Sequence, residues 1–147
     1  MKTNNVVADK SFLFAIRVVR LYQHLIRNKH EYVLSKQLLK SGTSVGANIR
    51  EALRGQSRQD FVAKMNISLK EISETGYWIE LLHKTNYITD KEFQSIFSDC
   101  QELGKLLTRI VKTTRENPDC ELWILNCELI WPSTTPIFSG CCCFCCR

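Results

Sequence analysis

Between Ser41 and Ala52 the chain reads SGTSVGANIREA, a run of small residues set inside a pattern that is otherwise helical. Leu34, Leu38, Val45, Ile49 and Ala52 keep the 3–4 spacing of one helix face straight through it. A glycine in a helix interior costs about 1 kcal/mol against alanine. Gly42 and Gly46 stand one turn apart, so they open the same face and let a second backbone approach closely. The gain from that packing offsets the cost. The helix that follows is the expected partner.

The rest of the chain is arranged around this helix. Residues 9–27 predict a first helix with Asp9 as N-cap. It carries two apolar stripes, one of Phe12, Ile16, Val19, Tyr22 and Ile26, the other of Phe14, Val18, Leu21 and Leu25. That arc is wider than one core needs. Either helix 1 is central, or its second stripe meets another subunit; the second arrangement is the one we expect. Residues 28–30 make a short connection. Helix 2 covers residues 31–54 and ends at Gly55, expected as a left-handed C′ residue. Ser57 caps helix 3, whose face is Phe61, Met65, Leu69, Ile72, Gly76, Ile79 and Leu82, ending near residue 86. Thr89-x-x-Glu92 is a capping box for helix 4. Its stripe runs Phe93, Ile96, Phe97, Cys100, Leu103, Leu107, Ile110, Val111, and the helix frays before Pro118. No strand-like alternation occurs before residue 119. Four long helices with short links are all-α, and the economical arrangement is an antiparallel, up-down-up-down four-helix bundle.

Three motifs carry a resemblance. They are Ser41-Gly-Thr-Ser-Val-Gly-Ala-Asn-Ile-Arg-Glu-Ala52, Asp60-Phe61, and Ser68-Leu-Lys-Glu71 followed by Glu74-Thr75. In register across residues 9–116, they are similar to the four-helix bundle protein family, which includes proteins encoded in intervening sequences of bacterial 23S rRNA genes. The resemblance implies a ring-shaped homopentamer. It also implies a relation to the accessory protein of diversity-generating retroelements, a basic pentameric barrel that engages nucleic acid and a reverse transcriptase. The family's biochemical role is largely unknown, so the resemblance speaks to fold more than to function.

Enzyme chemistry finds little support. SGTSVG lacks the lysine and the preceding strand of a phosphate-binding P-loop. Glu80-Leu-Leu-His83 is a single E-x-x-H motif, whereas a di-iron bundle needs two, and His24 and His30 have no Glu three residues before them. No metal and no cofactor is expected. Asn48, Glu51, Glu71 and Glu74 fall near the helix 2–helix 3 seam; no nucleophile–base pair stands beside them, and they are expected to form a hydrogen-bonded network that sets helix register. Arg50, Arg54 or Lys70 is the expected countercharge.

The basic residues are more informative. Residues 1–118 carry 19 Lys/Arg against 12 Asp/Glu, a balance of +7, whereas residues 119–147 carry 1 against 3, a balance of −2. At 100° per residue, Arg17, Arg20, His24 and Arg27 share one side of helix 1, Lys36, Lys40, Arg50 and Arg54 one side of helix 2, and Lys105, Arg109 and Lys112 one side of helix 4. Solvated faces are the bland explanation. A closed pentamer would repeat the excess five times in one field, and such a surface attracts phosphate backbones with little base specificity. RNA or DNA is therefore the expected partner, a protein partner the alternative. Tyr22, Tyr77, Trp78 and Tyr87 could stack on bases, but their spacing beside Leu and Ile is that of core or interface aromatics.

The division falls at residue 118: a domain of residues 1–118 and a tail of residues 119–147. Seven of the eight cysteines lie in the tail, which ends GCCCFCCR. The crowding of Cys141 to Cys146 does not suit one tetrahedral site, and the fourth residue from the end is Phe144, not a prenylation cysteine. A disordered extension is expected there, with short strand-like pieces at residues 121–125. No h-region precedes Asp9, and no apolar run reaches the roughly 18 residues of a membrane span. A cytoplasmic location is the default.

Overall fold

The computed structural model describes residues 5–116. They form four helices and no strand: α1 (Val6–Lys29), α2 (Leu34–Ala52), α3 (Arg58–Lys84) and α4 (Asp90–Glu116). Each helix packs on its neighbours in the chain, and α1 closes the ring against α4. The pairings run antiparallel throughout. On the α1–α2 seam Val18 faces Gly42 and Ser11 faces Gly46; on the α1–α4 seam Lys10 meets Glu102 and Arg17 meets Asp99. The predicted up-down-up-down bundle is the observed one. The tail beyond residue 116, with its strand-like pieces, lies outside the described residues.

The core is a single cluster to which every helix contributes. Fully buried members include Val18 and Leu25 of α1, Leu38, Val45 and Ile49 of α2, Phe61, Met65, Ile79 and Leu82 of α3, and Leu107 of α4. The α2, α3 and α4 stripes read from periodicity face the core, with Leu34, Leu69, Phe93 and Phe97 half-buried at its edge. On α1 the two stripes exchange roles. Phe14, Val18 and Leu25 are buried within this one chain, with Leu21 packed against them. The stripe that starts at Phe12 is the outer one: Phe12 is 51% exposed. The expectation that the Phe14 stripe meets another subunit is thus overturned. The width of the apolar arc was legible; which edge faces inward depends on where α2 and α4 sit.

The small face of α2 also turns the other way. A Cβ on Gly42 would stand 2.8 Å from both γ-carbons of Val18, so α1, the preceding helix, sets the close approach. A Cβ on Gly46 would meet Ser11 Oγ at 3.5 Å, an ordinary contact. Toward α3, α2 presents a serine: the Ser41 and Thr75 hydroxyls hydrogen-bond at 3.0 Å, and Ser68 Oγ donates to Val45 O at 3.3 Å. All three hydroxyl residues are buried.

Helix ends differ from expectation in instructive ways. Asn5, not Asp9, caps α1, its side chain accepting from Ala8 N at 3.2 Å. The start moves earlier because Val7 and Ala8 already bury in the core. Glu31 is not helical; its carboxylate accepts from the N–H groups of Val33, Leu34 and Ser35 at 2.9, 2.8 and 2.6 Å and so caps α2 from outside. Gly55 is not left-handed, for no glycine among the described residues has positive φ. Its missing side chain serves space, since a Cβ there would lie 2.9 Å from Asp60 Oδ2 and 3.0 Å from Ala52 O. The left-handed positions are His30 and Asn86. Ser57 and Thr89 cap α3 and α4 as read, the latter through a reciprocal box with Glu92.

Candidate nucleic-acid interface

The predicted basic residues separate into two sectors and one ion-pair clasp. On α2, Lys36, Lys40 and Arg50 are exposed, and Arg54 follows, exposed, in the turn after the helix. None of the four is in an ion pair among the described residues. Lys36 to Arg50 spans about 21 Å at 1.5 Å per residue. Arg20 and Arg27 of α1 are exposed as well. With Val18 opposite Gly42, the antiparallel register sets Arg20 level with Lys40 and Arg27 near the first turns of α2. The α2 row is the larger cationic sector, with Arg20 and Arg27 exposed on the outer face of α1. Arg50 also lies over the Phe12 ring, 5.0 Å from its centroid, a contact worth about 0.5–1 kcal/mol at an exposed site.

The second sector is on α4. Lys105 and Arg109 border a groove between α3 and α4, while Lys112 is paired with Glu116 one turn on, at 3.8 Å. In the closed ring α4 sits diagonally from α2, so one chain does not merge the two sectors. Arg17 belongs to neither. It ion-pairs with Asp99 and donates to Ser95 O at 3.2 Å and Ser95 Oγ at 2.7 Å, stitching α1 to α4.

The carboxylates expected to form one network are separate. Glu51 pairs with Lys64 across the α2–α3 seam at 2.6 Å, not with Arg50, Arg54 or Lys70. The hydrogen bond and charge of Glu51 hold the Lys64 ammonium above its ordinary pKa. Glu74 accepts from Trp78 Nε1 at 3.1 Å within α3. Asn48 donates to Ser44 O within α2 at 2.8 Å. Glu71 contributes its backbone oxygen to Thr75 at 2.7 Å. The polar link that does cross the seam is the buried hydroxyl set Ser41, Ser68 and Thr75. These residues lie inside the motifs that carry the resemblance, but a hydroxyl in a sequence gives no sign of burial, whereas a charge stands out.

Of the aromatic candidates, Tyr77 is 58% exposed and stands edge-on to Trp78 with centroids 5.0 Å apart. Tyr22, Trp78 and Tyr87 are half-buried. His83 stacks on Phe93 at 4.2 Å, and its Nε2 lies 2.7 Å from Asp90 Oδ1. Among the described residues no group of His, Cys, Asp and Glu is placed to hold a metal ion, and no helix is long and apolar enough to cross a membrane. Cys100 is buried; burial first, then the charges of Glu80 and Asp99, push its thiol pKa up to about 12. It is a protonated donor to Ile72 O at 3.5 Å, not a nucleophile.

Comparison with known proteins gives a family match and similar solved structures. Residues 3–109 match the family described as 23S rRNA-intervening sequence protein. The fold is similar to the crystal structure of a protein of unknown function from the S23 ribosomal protein family of Bacteroides thetaiotaomicron. The two are 56% identical over 73% of this chain and 99% of that one, with a TM-score of 0.72. No curated protein matches the chain.

Proposed function

We propose that this chain, which belongs to the 23S rRNA-intervening sequence protein family, is a non-enzymatic, cytoplasmic, homopentameric scaffold that associates with RNA or DNA backbones. The observation that carries the proposal is the row Lys36, Lys40, Arg50 and Arg54, exposed and without ion-pair partners among the described residues. Cations held on rigid helices at regular spacing neutralise phosphates and release counterions. They carry no base-reading geometry, so they position a nucleic acid without selecting its sequence. Closure into a ring would repeat the row around the assembly and raise its field.

The test replaces Lys36, Lys40, Arg50 and Arg54 with Gln. Binding to structured RNA and duplex DNA should weaken about equally across sequences, and the salt slope should flatten by roughly one unit for each phosphate no longer neutralised. Because Glu51 already pairs with Lys64, the melting temperature should fall only by what the Arg50–Phe12 contact supplies. Wild-type protein that binds neither nucleic acid at low salt would remove this function. A preparation free of nucleic acid that captures one acidic protein would favour a protein-interaction scaffold instead.

A further inference from the structure

Gly76 and Gly104 sit in the interiors of α3 and α4, where glycine is less favourable than alanine. Packing within the chain does not call for either. A Cβ on Gly76 would come no nearer than 3.6 Å to Cys100 Sγ, and one on Gly104 no nearer than 3.8 Å to Ile72 Cγ2, both ordinary contacts. Gly42, with Val18 at 2.8 Å, is the contrast. What the two glycines do is keep open a groove of about 900 Å³ between α3 and α4, walled by Ile72, Tyr77, Phe97 and Cys100.

The same chain carries a ridge of the matching kind. On the outer side of α1, Phe12 is 51% and Leu13 62% exposed, with Ile16 and Val19 half-buried behind them. The ridge begins beside Asp9 and ends at Arg20, about 16 Å away at 1.5 Å per residue. The groove has a complementary order of charge. Glu80 stands at one end, in no ion pair among the described residues, and Arg109 at the other. Glu80 and Arg109 belong to opposite ends because α3 and α4 run antiparallel, with Ile72 level with Gly104 and Gly76 level with Phe97. A helix laid along the groove with Arg20 toward Glu80 brings Asp9 toward Lys105 and Arg109.

We propose that the groove between α3 and α4 seats the Phe12–Leu13–Ile16 ridge of a second copy of this chain. The inference rests on the oligomeric part of the proposed function and adds how the copies meet. Ridge and groove are different surfaces on different sides of the bundle, so the contact is head-to-tail rather than two-fold. Contacts of that kind close into rings or run on as filaments. The groove floor explains the glycines: without Cβ atoms the incoming helix reaches the α3 and α4 backbones.

The experiment measures mass by light scattering on the full chain, kept reduced. Wild type should be an oligomer. Phe12→Glu with Leu13→Glu, at exposed positions, should reduce the mass to that of one chain with helicity unchanged. Gly104→Leu should do the same by filling the groove; Tyr77→Glu, also at an exposed position, serves should the leucine disturb folding. Mixed in equal amounts, a ridge variant and a groove variant retain one good ridge and one good groove between them. They should form a discrete dimer and nothing larger. Folded variants that stay oligomeric, or a mixture that stays monomeric, would overturn the ridge-in-groove contact and leave the oligomer standing. Monomeric wild type would remove both.

Discussion

Gly42 and Gly46 look alike in the sequence and differ in what they touch. The γ-carbons of Val18, 2.8 Å from where a Gly42 Cβ would be, belong to a β-branched side chain with little rotamer freedom in a helix. Gly42→Ala should therefore destabilise the bundle by about 1–3 kcal/mol, read by urea unfolding. Gly46→Ala meets only ordinary contacts and should be neutral or stabilising by up to about 1 kcal/mol. Val18→Ala should relieve much of the Gly42→Ala penalty, giving a clear coupling in a double-mutant cycle. Equal penalties at the two glycines would contradict the geometry. Spacing marked both as small, but could not weigh them, because the weight comes from a residue of α1 that faces only one. Cys100 makes a second point at this scale. With its pKa raised to about 12 and its side chain buried, it should resist alkylation at neutral pH until the bundle unfolds. Peptide mass mapping would detect labelling of the native thiol.

Among the elements, α2 has the least ordinary start. Its N-cap, Val33, makes no side-chain bond; Glu31 supplies the acceptors instead. Burial alone would raise the Glu31 pKa, but the N–H groups of Leu34, Ser35 and Val33 and the Ser35 hydroxyl more than offset it, leaving it below the usual glutamate value. A lowered folded pKa contributes stability that is full above the unfolded value and is lost as pH falls through the folded one. Glu92 acts in the same direction through the Thr89 backbone and side chain. Glu31→Ala should cost about 0.5–2 kcal/mol at neutral pH and flatten the acid limb of a stability–pH curve; an unchanged limb would deny the carboxylate its role. The α4 box was legible because Thr and Glu stand at the fixed three-residue spacing. The Glu31 cap was not, since a carboxylate reaching forward from outside the helix looks like a first-turn glutamate. The roles of the two α1 stripes were illegible for a related reason: one helix shows how wide its apolar arc is, but not which edge its neighbours cover.

At the scale of the molecule, four helices, their order and their core stripes could all be read from period and caps, because each signal is local. The candidate site was legible only as exposed cations. Its α2 row survives in space, whereas Arg17 is taken into the clasp with Asp99 and Ser95, a pairing 82 residues apart in sequence that no local pattern announces. Removing residues 119–147 should leave helicity and cooperative unfolding intact, because the core closes with Ile110 and Val111. A truncated chain that fails to fold, by circular dichroism, would place the tail within the domain. The clasp has a consequence for how the bundle breathes. The α1–α4 seam is the thinnest of the four, and the ion pairs Lys10–Glu102 and Arg17–Asp99 that stitch it are partly exposed, hence weak and screened by salt. Local opening should start there, with α1 and α4 parting while α2 and α3, joined by buried hydroxyls, persist as the last cooperative unit. Amide exchange should then be faster along α1 and α4 than along α2 and α3, and added salt should widen the gap.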